Sequence, residues 1–359
     1  MTPRKRAEPE PVQKSPLEEF GFPQSGEEVR QYIGHALSYD QAKKTPRWVI
    51  EHLTKEKIVV PVFQTVLLNL QNVCQQYLSL HVGKGQGSRR KLDLQTCIAD
   101  RKHCRFKPDP NIPQLFSASN EDYLRSGWSR GHMAPAGDSK YSTEAMAETF
   151  YLSNIVPQNY ENNAGFWNRF EMYCRDLTQR FHDVWIVSGP LPLPVQNEDG
   201  KKSVSYQVIG SDDVAVPTHL YKVILARRKP SDETLAGGAF IVPNVPISFQ
   251  HQLPEFQVPL ETLEKWSGLV FFPQVAKSKE VKNICEEDTC KLIELEEFKL
   301  YIAGRSMKNA RSLQKVEKIM LELREANIKP DQYLLELYEQ KKNELESSET
   351  IAVRAGRKG

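Results

Sequence analysis

Four short runs constrain the fold of this chain more than any other feature: VWIVSGP (184–190), VSYQVIG (204–210), THLYKVILARR (218–228) and GAFIVPN (238–244). Each is rich in β-branched and aromatic residues and bounded by Gly, Pro, Asn or Ser, which is how strands are written. Ahead of them lies a helical pattern from about Asn163 to Phe181, where Phe166, Phe170, Tyr173, Leu177 and Phe181 recur at helical spacing. Strands and helices mixed in this order predict an α+β domain on an antiparallel sheet. Further on, residues 310–346 predict two helices broken at Lys329-Pro330.

The rest of the chain divides by composition. Residues 1–15, rich in Pro and charge and without an apolar core, predict a disordered leader with no secretory signal or amphipathic presequence. Residues 16–57, the N-terminal part of the main domain, carry short patterns that suggest helices (EEVRQYIGHALSYD and TPRWVIEHLTKEK). In 58–98 the run Phe63–Leu78 is an amphipathic helix by spacing, with Gln and Asn opposite the apolar face, and GKGQGSRRK follows as a basic loop. That segment is too polar for a membrane span. The core extends over 99–302, a helical extension over 303–346, and a disordered basic tail over 347–359. Net charge is only +2, so charge alone does not identify a polyanionic partner. The six cysteines include no C-x-x-C pair, which suits reduced thiols in an intracellular compartment.

Chemistry concentrates in SGWSRGHMAPAGD (126–138). His132 is the side chain best matched to proton transfer near neutral pH, and Gly131 and the small residues after it suggest an open turn. Arg130 is placed to hold an anion beside it. Downstream, Asn163, Trp167, Glu171 and Arg175 step four residues at a time along one helix edge. An amide oxygen there can bind a hard cation such as Mg²⁺, which keeps most of its waters. Glu171 can orient those waters and Arg175 can hold a phosphate oxygen. Singly, each has a plainer role: Asn163 as a helix cap, Glu171–Arg175 as a surface ion pair. Their co-occurrence with Arg130-Gly131-His132 favours a site.

RGH, FYLSNIVPQ (150–158) and N-x-G-x-W-x-R-x-E-x-x-x-R (163–175) resemble the sugar-non-specific DNA/RNA nucleases with a ββα-metal (His-Me finger) core on an antiparallel sheet. The resemblance implies that His132 is the general base and that Asn163 is the one direct protein ligand of Mg²⁺ (or Mn²⁺). It implies that Glu171 positions metal-bound water and that Arg130 and Arg175 bind phosphate. Arg101 would contact substrate, and Asn154, grouped with these substrate-side residues, would brace the site. It further implies DNA and RNA as partners, a homodimer, and the mitochondrion (inner membrane or intermembrane space); membrane association occurs in the family, with no anchor visible in this chain. Most members read D-R-G-H where this chain has Ser129. The serine and the C-terminal helices resemble an exonuclease-type branch, implying 5′→3′ exonuclease with endonuclease activity. Residues 58–98 resemble nothing in the family, so the rival expectation is a catalytically impaired nucleic-acid-binding variant.

Overall fold

The computed structural model describes residues 16, 19–21, 29–58, 99–275 and 280–356. The leader expected at 1–15, and the helix and basic loop expected after Ile58, lie outside them. Two compact units divide the chain, Met1–Lys291 and Leu292–Gly359.

The first unit is built on one eight-stranded sheet. In chain order its strands are β1 (Val29–Gln31), β2 (His35–Asp40), β3 (Thr45–Leu53), β6 (Asp183–Leu191), β11 (His219–Arg227), β12 (Leu235–Pro243), β13 (Gln257–Val258) and β14 (Val281–Asn283). They pair in the order β1-β2-β3-β6-β11-β12-β13, all antiparallel, while β14 joins β12 in parallel. Off this sheet lie three two-stranded ribbons: β4 (Ser129–His132) with β5 (Ile155–Gln158), β7 (Val195–Gln196) with β8 (Lys202–Ser203), and β9 (Val208–Ile209) with β10 (Val214–Ala215).

The helices expected within 16–57 are three strands instead, apart from one helical turn at Lys55–Ile58. A half-exposed strand announces itself by alternation, but every residue of β2 and all but one of β3 are buried. Apolar residues then stand on both faces, and the period-2 signal disappears. Asp40 turns the β2–β3 hairpin by accepting from the amides of Ala42 (3.0 Å) and Lys43 (3.1 Å). VSYQVIG is likewise not a full strand: only Val208 and Ile209 pair.

Side chains alternate across the sheet. One face presents Trp48, Ile50, Trp185, Val187, Tyr221 and Val223, covered by Leu263 of α2 (Leu260–Ser267) together with Leu269, Phe271 and Phe272. The opposite face carries Val49, Glu51, Ile186, Ser188, Lys222 and Phe240, and against it lies α1 (Asn168–Leu177), with Phe170 5.3 Å from the Phe240 ring. That face is polar at its centre, which a layer serving packing alone would not be.

The second unit contains α3 (Leu295–Lys308), α4 (Leu313–Glu325) and α5 (Gln332–Gly356), packed through Met307, Val316, Ile319, Leu323, Ile328 and Leu334. The break at Lys329-Pro330 falls between α4 and α5. The helical extension begins at Leu295 rather than 303, because the apolar residues of α3 surround it without forming a one-sided stripe. The tail expected from 347 continues as helix to Gly356, since no Pro or Gly interrupts the chain before that residue. The cysteines also depart from expectation: Cys285 and Cys290 form a disulfide. Among the described residues no helix is long and apolar enough to cross a membrane.

Candidate active site

The site is assembled from a strand, a strand and a helix. β4 pairs with β5 in the register Ser129↔Gln158, His132↔Ile155. Asn159 then caps a short turn, Tyr160–Asn162, by accepting from the Asn162 amide at 3.0 Å. The chain continues through a π-turn, Asn163–Trp167, directly into α1. Widened turns of this kind recur at functional sites.

Gly131 is required for a reason the sequence did not reveal. A Cβ there would stand 2.1 Å from Oε1 and 2.7 Å from Cβ of Gln158. The glycine thus lets Gln158 pack across the ribbon, where its Nε2 donates to Asn162 Oδ1 at 2.9 Å. The open turn expected around His132 is also corrected: His132 ends β4 and is 6 % exposed. Its ring lies 5.3 Å from Phe106 and 4.9 Å from Phe150. Burial there, with Arg101 and His35 nearby, lowers its pKa to about 3, so the imidazole is neutral at physiological pH. Nε2 is buried with no hydrogen-bond partner, which leaves Nδ1 as the nitrogen open to a proton. The His132 carbonyl accepts from Trp167 Nε1 at 3.4 Å, tying His132 to the π-turn.

Asn154 stands behind the loop that follows His132. It is fully buried, its Oδ1 accepts from the Ala134 amide (2.9 Å), and its Nδ2 donates to the carbonyls of Ala134 (2.9 Å) and Thr149 (2.8 Å). With its amide so used, Asn154 braces the loop. Asn163 is only partly buried; its Nδ2 donates to Ser129 Oγ at 3.0 Å, and Ser129 Oγ donates to the Gln158 carbonyl at 2.8 Å. The donor side of the amide is therefore occupied and the carbonyl oxygen left over. That suits a cation with few protein ligands, because among the described residues no three His, Cys, Asp or Glu side chains converge as a metal cage.

Arg130 lies between the rings of Phe106 (5.3 Å) and Tyr123 (5.2 Å), with Nη2 donating to the Asn120 carbonyl at 2.9 Å. Arg101 is exposed, sits 5.5 Å from the Phe150 ring, and acts electrostatically on both His132 and Glu171. Glu171 keeps some exposure, yet the surrounding protein desolvates its carboxyl and pushes its pKa up to about 7, while Arg175 and Lys222 pull it down. The ion pair of Arg175 is with Asp138, Nη1 to Oδ1 at 2.6 Å. The simple Glu171–Arg175 surface pair is therefore not the arrangement.

Three residues of this layer escaped the sequence reading. Asp138 closes the 126–138 motif but was given no part. Glu51, in WVIEHL, and Lys222, in YKVIL, are single charges inside apolar strand runs. Lys222 is 1 % exposed, with Nζ 2.7 Å from Ser188 Oγ and 4.6 Å from the centre of the Trp167 ring. A lone charge within a strand otherwise written for burial was the available signal.

The pattern of the family described as DNA/RNA non-specific endonuclease matches residues 85–278, more than half of the chain. The chain belongs to this family. The match omits β1–β3, which the sheet nevertheless places beside β6. A second pattern, described as the endo/exonuclease (EXOG) C-terminal domain, matches residues 293–341. Among curated relatives, the mitochondrial nuclease EXOG of Xenopus laevis is 62% identical over 334 residues, spanning 93% of this chain and 83% of that protein. The human protein of the same name is 56% identical over 339 residues, with 94% and 82% covered. Among solved structures, an EndoG chain in complex with EndoGI is 36% identical, with a TM-score of 0.61 and coverage of 75% of this chain and 94% of that one. This agrees with the nuclease family inferred from the RGH motif and the 163–175 ladder.

Proposed function

We propose that the chain is a metal-dependent nuclease that hydrolyses phosphodiester bonds of DNA and RNA with little sequence preference. The observation carrying this reading is a neutral, buried His132 on β4 joined through Trp167 to a helix start where Asn163 presents a free amide oxygen. The relatives named above are nucleases, and the two named EXOG align over 93% and 94% of this chain.

In this reading His132 Nδ1 takes the proton of the attacking water; it is unprotonated at working pH because its burial penalises the imidazolium. Asn163 Oδ1 would hold Mg²⁺ (or Mn²⁺), which would supply positive charge to the scissile phosphate and the leaving oxygen. Glu171, ionised, orients water beside Asn163. Arg175 and Arg130 supply charge-assisted donors to phosphate oxygens, and Arg101 meets the strand from the exposed side. Contacts made to phosphate rather than to base edges carry no sequence information, which accounts for low sequence preference and strong salt dependence. The C-terminal helices favour 5′→3′ exonuclease action alongside endonuclease action, and the names of the relatives favour the mitochondrion as the site of work.

The test is Mg²⁺-dependent digestion of a 5′-labelled linear duplex and a covalently closed circle, with H132A alongside. Short products from the linear duplex, nicking of the circle, and no cleavage by H132A are expected. Binding without cleavage by folded wild-type protein would refute the enzyme reading and leave a nucleic-acid-binding variant.

A further inference from the structure

Beneath the residues that face substrate lies a second, wholly internal set of charges. Glu51 of β3 is 3 % exposed, and Asp138, in the loop after His132, is also 3 % exposed. Asp138 Oδ1 is taken by Arg175 Nη1 at 2.6 Å. Asp138 Oδ2 is buried, and no N–H or O–H donor reaches it from a side chain in its usual ionisation state. What does stand within hydrogen-bonding reach of Asp138 is the Glu51 carboxyl. Two carboxylate oxygens in contact repel unless one carries a proton, and a buried acceptor left bare costs its full desolvation.

We propose that Glu51 is a positioning residue of the nuclease site: a carboxylic acid that keeps its proton and donates it to Oδ2 of Asp138, so that Asp138 holds Arg175 in place. The inference rests on the nuclease reading above for what Arg175 does, and for the proton on the burial of both carboxyls and the otherwise bare Oδ2 of Asp138.

The connection spans three elements. Glu51 comes from β3, Asp138 from the turn after β4, and Arg175 from α1. Arg175 lies so close on that turn that a Cβ on Gly137 would be 3.0 Å from its Nη1. Aligning Arg175 therefore also sets the distance between the His132 loop and the helix that carries Asn163 and Glu171. The charges around Glu51 agree with one proton on the pair: burial disfavours its ionised form, Asp138 and Glu171 add to this, and Lys222 opposes them. Tyr141, Lys57 and Cys174 also lie within its electrostatic reach. An ionised Glu51 would add a third carboxylate to Asp138 and Glu171, with Lys222 its principal opposing charge.

The first test is spectroscopic and independent of catalysis. The infrared difference spectrum of wild type minus E51Q, at neutral pH and without metal, is expected to contain the carbonyl stretch of a protonated carboxyl. Absence of that band overturns the proposal. The second test separates donor from charge: E51M, which keeps volume but cannot donate, is expected to lose roughly 10–100-fold in kcat/KM, as removal of partners one step from a metal site does. E51Q, which still donates to Oδ2, is expected to restore most of that loss. In an R175A background E51M is expected to have little further effect. Equal impairment of E51Q and E51M, or full additivity with R175A, overturns the positioning role. Should E51M not fold, the isosteric E51Q decides by its band and its activity. If wild type cleaves nothing, the nuclease reading fails while the band still decides the state of Glu51.

Discussion

Ser129→Ala isolates the contact that orients Asn163. In the native site Ser129 Oγ accepts from Asn163 Nδ2 (3.0 Å) and donates its own hydrogen bond to the Gln158 carbonyl (2.8 Å). An asparagine amide is nearly symmetric in shape, so without that acceptor little prevents its NH₂ from turning toward the position proposed for the metal. A neutral hydrogen bond of this kind contributes about 0.5–1.5 kcal/mol net, and this is the bias that keeps Oδ1 outward. Losing it should raise the Mg²⁺ concentration for half-maximal cleavage by about 2- to 13-fold, with little change in Tm, since Asn163 is only partly buried and water can satisfy the freed donor. The assay is a Mg²⁺ titration of duplex cleavage, with calorimetric Mg²⁺ binding as a check without substrate. A folded variant whose Mg²⁺ half-saturation stays at the wild-type value, with the whole loss in kcat, would refute the reasoning.

Gly131→Ala should lower stability by about 1–3 kcal/mol through overpacking on Gln158, read as a lower Tm; an unchanged Tm would mean that Gln158 moves freely. Glu171 is protonated below its raised pKa of about 7 and ionised above it, so Mg²⁺ affinity should increase as pH rises through that value. E171Q should abolish this dependence, and a flat wild-type profile would count against Glu171 as the group that orients metal-bound water. Asp183 is desolvated, yet hydrogen bonds from His52, Arg227 and His182 outweigh this and hold its carboxyl well below the usual range. A depressed acid stabilises the fold above its unfolded pKa, near 3.9, and the contribution is lost as pH falls toward the folded value. Urea unfolding should show the stability gap between wild type and D183N beginning to narrow as pH falls below about 5 and still narrowing below about pH 3, toward the depressed folded value; a constant gap would contradict the linkage.

The site was more legible than the fold that carries it. His132, Asn163, Glu171 and Arg175 each have a chemical identity that spacing can reveal, and the structure brings them to one ribbon and one helix. The helix of α1 and the strands β6, β11 and β12 were visible because their apolar runs have boundaries. β2 and β3 were not, because a central strand covered on both faces loses the alternation by which strands are read. Glu51, Asp138 and Lys222 were hidden for a related reason. Their significance lies in meeting one another across sequence gaps, and no local pattern encodes that meeting. The disulfide was missed because spacing shows which cysteines are close in the chain, not whether a turn brings them together.

The π-turn at Asn163–Trp167 has an angular consequence. In a regular α-helix eight residues sweep about 800°, which would leave Asn163 and Glu171 some 80° apart around the axis. Spreading one turn over roughly 4.4 residues slows the rotation to about 82° per residue. Across five residues that recovers about 90°, so the two side chains fall nearly on one line parallel to the axis. The extra residue acts as a vernier between strand and helix: the length of the turn, more than the identity of the residues filling it, sets where the amide and the carboxylate point.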